Sequence, residues 1–377
     1  MPSRGAKSLA LAAVAALWAC PAWGQGAYPP ADQKLPPLVL AKRGVFFPGG
    51  QIVTRTFPTG TTNQILVGQA YVEYSVPQNL RHGKKTLPII LTHSGIDGII
   101  WLTTPDGREG WYDFFVRRGF PVYVVDPTGT GRAGFNVDQY NLVRAGEAAP
   151  SLQPSLGHRD SDAWEDENMG PMPYVHGAVD PTCIGNDGRG PDPLTCYGWL
   201  MPNDPESVKH WLAHALPSGP SGPPSSSRAA FEELLRNIGP AIWIGWSGGG
   251  TLGGDIAQAN PELLKGLIGI EPANNCLFRA EVNAPLAGAV QVPALSIHGI
   301  NQIGRPHEPG RNSRADCEAY HAQINAAGGD ATWLSLYDIG IYGNSHMMYW
   351  EKNSDEIAQV LLDWIEQHVE KKEAKLK

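Results

Sequence analysis

Residues 241–257, AIWIGWSGGGTLGGDIA, carry an apolar run straight into a glycine-rich turn with Ser247 in it. The pentad Gly245-Trp246-Ser247-Gly248-Gly249 fits G-x-S-x-G. In that motif a strained strand-to-helix turn lifts a serine hydroxyl out of the sheet, and small residues on either side let strand and helix close up. A serine hydroxyl is a weak nucleophile. It needs a base to take its proton and an acid to orient that base.

The base is expected late in the chain, and His346 in GNSHMM follows the final strand-like run. His93 and His298 end buried strands, while His321 and His368 lie in helical stretches; all four read as structural. The acid is less conventional. The loop HGINQIGRPHEPG offers Asn301 and then Glu308, whereas Glu271 ends the preceding strand pattern, GLIGIEP. A carboxylate there can reach the same imidazole from the neighbouring strand, and a lone acid after apolar LIGI needs a partner, so Glu271 is favoured. The oxyanion needs two backbone donors. Gly248 supplies one, and the loop after IILTH supplies the other through Ser94 or, preferably, Gly95. Trp246, Ile96, Met347, Met348 and Tyr349 would line an apolar pocket; the plainer reading is that they are core.

Other uses of the glycine turn fit less well. A P-loop needs a lysine after its last glycine, and none follows here. A dinucleotide turn would use Glu271 as its ribose acid, but it belongs in a first βα unit, and several strands precede Ser247.

The surrounding elements must hold these groups. LPIILTHSG, PVYVVD, AIWIGWS, LKGLIGIEP, VPALSIHGI and ATWLSLYDI read as buried strands. Helices are expected over GREGWYDFFVRRGF, RAAFEELLRNIG, GGGTLGGDIAQAN, RADCEAYHAQINAAGG and NSDEIAQVLLDWIEQHV, the last opened by an Asn353/Glu356 capping box. Strands alternating with helices predict an α/β fold with a mostly parallel sheet. Residues 136–230 differ: they are rich in Pro, Gly, Trp and acids, hold one fair helix near 205–216, and close on PSGPSGPPSSS, a flexible joint. They read as an inserted lid between core parts 25–135 and 231–377.

These stretches resemble an α/β-hydrolase, and more narrowly a group of exported bacterial esterases. The shared pieces are TTPDGREGW, GWSGG, IEP, NAAGG, GNSHMM and LLDWI, over about 40–135 and 240–367. The resemblance implies a Ser247–Glu271–His346 triad, with the acid after the sixth core strand, and a Cys276–Cys317 bridge. One departure stands out: a member of that group carries two adjacent cysteines in the oxyanion loop, where this chain has the shorter HSGIDG. The second donor, Ser94 or Gly95, stays open.

Residues 1–24 have the layout of a secretory signal, with Arg4 and Lys7 before a short apolar run; lipid attachment at Cys20 fits less well because Trp18 sits two residues before it. The run is too short to span a bilayer, and no later apolar stretch is long enough for stable membrane insertion. Without Cys20, four cysteines remain: Cys183, Cys196, Cys276 and Cys317. In an oxidising compartment, secreted or periplasmic, they suggest two disulfides, Cys183–Cys196 closing a short loop and Cys276–Cys317 a longer one; free buried thiols are the other reading. The net charge of −8, with no basic run, argues against nucleic acid or anionic membrane partners. No metal and no organic cofactor are expected, since no ligand-spaced His/Cys/Asp cluster occurs.

The expected function is therefore hydrolysis of an apolar or aromatic ester, small or polymeric, through an acyl-enzyme. Lactone, amide or acyl-transfer chemistry on the same triad, an inactive secreted binding protein, and a dinucleotide oxidoreductase are the rivals. A homodimer is left open.

Overall fold

In the computed structural model the described residues are 35–371, apart from 57–59, 154, 157–199, 203, 215–216, 219–223, 274–275, 279–286 and 300–313. The leader, Cys20, Cys183, Cys196, Asn301 and Glu308 lie outside them, as does about half of the insert.

Twelve strands are found among the described residues: β1 (Leu40–Phe46), β2 (Gly49–Thr56), β3 (Thr62–Gln69), β4 (Tyr71–Pro77), β5 (Ile89–Thr92), β6 (Val122–Asp126), β7 (Ser155–Leu156), β8 (Pro217–Ser218), β9 (Ala241–Trp246), β10 (Leu264–Ile270), β11 (Ala294–His298) and β12 (Ala331–Ser335). Eight of them form one sheet in the order β1-β4-β6-β5-β9-β10-β11-β12. β1 and β4 pair antiparallel, as do β4 and β6; every later neighbour is parallel. β2 and β3 form a separate hairpin, and β7 pairs with β8. This is the α/β-hydrolase fold expected from the sequence.

Parallel strands buried on both faces are apolar at every position, and alternation decides which face each side chain meets. In β9, Ile242, Ile244 and Trp246 join one core cluster, while Ala241 and Trp243 join the other. Helices α1 (Trp111–Arg117) and α7 (Ser354–Trp364) cover the first face with Trp111, Phe115, Ile357 and Leu361. Helices α4 (Pro224–Ile238), α5 (Gly248–Ala259) and α6 (Arg314–Ala326) cover the second with Phe231, Leu234, Ile256 and Ile324.

Three expectations need correction. The end of PSGPSGPPSSS is helix and not joint: Pro224 opens α4, where a missing N–H costs nothing, and 225–227 continue it, while 219–223 lie outside the described residues. The proposed boundary at 230/231 thus falls inside a helix. The insert also contains α2 (Val137–Arg144) before α3 (Pro205–Leu212), and the Asn136 side chain caps α2 by accepting from Gln139 N–H at 3.1 Å. Finally, Asn353 precedes α7 but its side chain does not cap it. Its amide is drawn instead into a pair with Asn344.

Candidate active site

Registry brings the chemistry to one edge. Thr92 is level with Gly245, Gly245 with Gly269, Gly269 with Ser296, and Ser296 with Trp333. The loops after β5, β9, β10, β11 and β12 therefore leave the sheet together at its carboxyl edge, where open α/β sheets place their ligands. β9 and β10 are the fifth and sixth strands of the large sheet in chain order, so Ser247 and Glu271 follow neighbouring strands.

Ser247 sits between β9 and α5 at φ 52°, ψ −123°. Glu271 follows β10 at φ 44°, and these are the two non-glycine residues with positive φ among the described residues. Left-handed backbone strains a non-glycine residue by roughly 1–3 kcal/mol and survives only where neighbours enforce it. Here they do. Ser247 N–H donates to Ile270 O and Glu271 N–H to Ile297 O, each at 2.9 Å, so the ladder holds both strained residues. A Cβ on Gly245 would lie 2.4 Å from Gly249 C, and one on Gly249 would lie 3.0 Å from His93 N; the turn admits no side chain at either place.

Glu271 is fully buried. Its Oε1 accepts Gly299 N–H at 2.7 Å, and its Oε2 faces His346 Nδ1 at 3.1 Å. The loop after β11 thus contributes a backbone donor to the acid. His346 is 8% exposed, the Ser247 turn more so. Its imidazole lies against the Trp246 indole with ring centroids 4.9 Å apart, and Trp246 Nε1 donates to His346 O at 2.8 Å. Trp246 therefore holds the histidine's own backbone.

The oxyanion side departs from a simple pair of free amides. Gly248 N–H donates to Ser94 Oγ at 3.1 Å, while Gly95 is exposed at φ 78°. Ile96, Trp246, Met347, Met348 and Tyr349 are buried in one cluster. The Tyr349 ring packs on Trp101, Trp111 and Trp246, and its hydroxyl meets Met347 Sδ at 3.2 Å. The other histidines are occupied elsewhere. His93 Nε2 faces Asp126 Oδ1 at 3.1 Å, His298 Nε2 meets Ser296 Oγ at 2.7 Å, and His368 meets Asp330. His321 is buried in α6, which pushes its imidazole down to about 4 and keeps it neutral near pH 7.

Sequence reasoning missed Arg108. Its guanidinium donates to the carbonyls of Trp350, Glu351 and Lys352 and to Ser354 Oγ, and Trp111 Nε1 donates to Ser354 O at 3.0 Å. The signal was present in GREGW, but planar donors reaching main-chain oxygens far along the chain leave no local pattern. The described part of the insert also docks here: His214 Nδ1 lies 2.9 Å from Asp97 Oδ1, His210 Nδ1 lies 2.8 Å from Pro105 O, and Lys352 N–H donates to Leu200 O at 3.0 Å. Cys276 and Cys317 are bridged, tying the loop beyond Glu271 to α6. Among the described residues no cluster of three His, Cys, Asp or Glu could hold a metal, and no helix is long and apolar enough to cross a membrane.

No family model matches the chain. It is 28% identical to a "Probable secreted lipase phiG" from Fungal sp. (strain ATCC 74256) over 352 residues, covering 78% of this chain and 85% of that protein. Among solved structures it resembles one described as a novel bacterial esterase, with a TM-score of 0.72 and 27% identity over 89% of this chain and 98% of that one. The sheet order and this structural match give the α/β-hydrolase fold. The relatives that cover most of its length are described as ester hydrolases.

Proposed function

We propose that this protein is an exported serine carboxylic ester hydrolase working through an acyl-enzyme. The observation that carries the reading is the pair of strained residues, Ser247 and Glu271, on adjacent strand ends, with His346 Nδ1 on the Glu271 carboxylate. His346 Nε2 takes the Ser247 proton, Oγ attacks the ester carbonyl, and the same imidazole protonates the leaving alcohol. Glu271 fixes the imidazole tautomer and steadies the imidazolium. Gly248 and Gly95 N–H groups hold the oxyanion; the substrate oxygen takes the Gly248 donor from Ser94 Oγ. Water then frees the acid. Trp246, Ile96, Met347 and Tyr349 form the apolar wall behind the acyl group, and the insert docked through His214 acts as a lid. Export is supported by the leader-like N-terminus, the Cys276–Cys317 bridge and the description of the fungal relative as secreted.

The test is labelling by a fluorophosphonate together with hydrolysis of short, long, aromatic and polymeric esters. Ser247→Ala should abolish labelling and lower kcat by roughly 10⁴–10⁶-fold. Equal hydrolysis by variant and wild type would remove Ser247 from the mechanism.

A further inference from the structure

Glu351 lies five residues beyond His346, fully buried. Burying an ionisable carboxyl is costly, and among the described residues it forms no ion pair. Its bonds all go to the segment before His346. Oε1 accepts Ser345 N–H at 2.7 Å, and Oε2 accepts from Asn344 Nδ2. Asn344 is held in turn by a reciprocal amide pair with Asn353, at 2.8 and 3.2 Å. The Ser345 hydroxyl accepts Met347 N–H at 3.0 Å, so the residues on both sides of His346 are tied to one buried centre. Two donors converging on two oxygens suit a carboxylate; a primary amide would set one of its own N–H groups against a donor.

We infer that Glu351 is a positioning residue for His346: it fixes the peptide that aims the imidazole and places negative charge behind the triad acid. The inference rests on the ester hydrolase reading above. Burial, against the hydrogen bonds from Ser345 and Asn344 and with a smaller push from the Glu271 charge, holds the Glu351 carboxyl up at about 7. The charged or titratable groups around the segment are Glu271 and His346 in the site, Arg108 on the Glu351 carbonyl with its partner Asp106, and His214, tilted against the Trp350 ring. Ionised Glu351 favours the imidazolium electrostatically, so loss of its charge should move the acid limb of activity to lower pH.

The experiment compares Glu351→Gln and Glu351→Asp with wild type in kcat, KM and the pH profile of kcat/KM. Glu351→Gln should lower kcat about 10-fold with KM little changed, and shift the acid limb down by roughly half a pH unit, since the wild-type carboxyl is itself partly protonated there. Glu351→Asp, charged but shorter, should lose kcat and keep the limb where wild type has it. A wild-type kcat and limb in Glu351→Gln, or the same limb shift in both variants, overturns the inference. If neither variant folds, Asn344→Ala decides: kcat falls at constant KM if the grip matters, and wild-type kcat overturns it. Fluorophosphonate labelling of wild type runs alongside. An unlabelled Ser247 sinks the ester hydrolase reading itself, whereas labelled wild type with unaltered variants sinks only the role of Glu351.

Discussion

Among the described residues, two buried histidine–carboxylate pairs have equal length. His346 meets Glu271 and His93 meets Asp126, each at 3.1 Å. The first lies beside the Ser247 turn and keeps a little exposure at His346; the second has none. His93 and Asp126 are completely buried, and Asp126 also accepts from Gly98 N–H, Arg132 N–H and the Arg132 guanidinium. Burial alone would raise the Asp126 carboxyl, but the bonds and charges of His93 and Arg132 outweigh it and hold it well below the usual carboxylate range. Arg132 reaches onward to Glu73, and Glu73 to Arg43, so this pair is the inner end of a charge network. Glu271 has a backbone donor, Gly299 N–H, and an imidazole instead, on a strained residue, beside a more exposed serine turn. A His–carboxylate pair is thus no signature of catalysis. What matters is where the second imidazole nitrogen points and what stands in front of it.

That contrast can be broken by exchanging charge for amide in each pair. Glu271→Gln should leave a folded protein and lower kcat by about 10³-fold, because the imidazole loses its orienting partner; kcat within a few-fold of wild type would make the two pairs equivalent. Asp126→Asn should do the reverse. Denaturant unfolding should show a loss of about 3 kcal/mol, since Arg132 is left partly uncompensated in the interior, while activity per folded molecule stays near wild type. The sign of its pH dependence follows from the depressed carboxyl. Asp126 contributes stability above the ordinary Asp pKa of about 4, and that contribution is lost as pH falls below it. Wild type should therefore lose stability on acidification more steeply than Asp126→Asn, and parallel curves would contradict the network. The smallest effect is expected from Trp246→Phe, which keeps the ring and drops the N–H bond to His346 O: kcat should fall about 10-fold with KM little changed. A change in KM alone would make Trp246 a substrate wall and not a support.

Much of the fold could be read from local pattern. Buried parallel strands announce themselves as apolar runs, and Ser247 stands out because G-x-S-x-G between such a run and a small-residue helix has few other uses. Glu271 was readable because a lone acid at the end of an apolar strand needs a reason to be there. The β2–β3 hairpin and α2 were less visible: the hairpin residues are largely exposed, and α2 buries only Asp138 and Val143, too few to mark a stripe. Asn353 looked like a helix cap, yet Asn344 competes for its amide in the fold. Glu351 and Arg108 could not be recognised at all, because what they bind is backbone or loop that only the tertiary structure brings near.

Arg108 ties the order of synthesis to the onset of activity. Its bonds to Trp350, Glu351, Lys352 and Ser354 span more than 240 residues of sequence. The histidine segment cannot be braced until nearly the whole polypeptide has emerged and its two ends have met. A chain that stopped before residue 350 would keep Ser247, Glu271 and His346 and lose every oxygen that Arg108 grips beyond them.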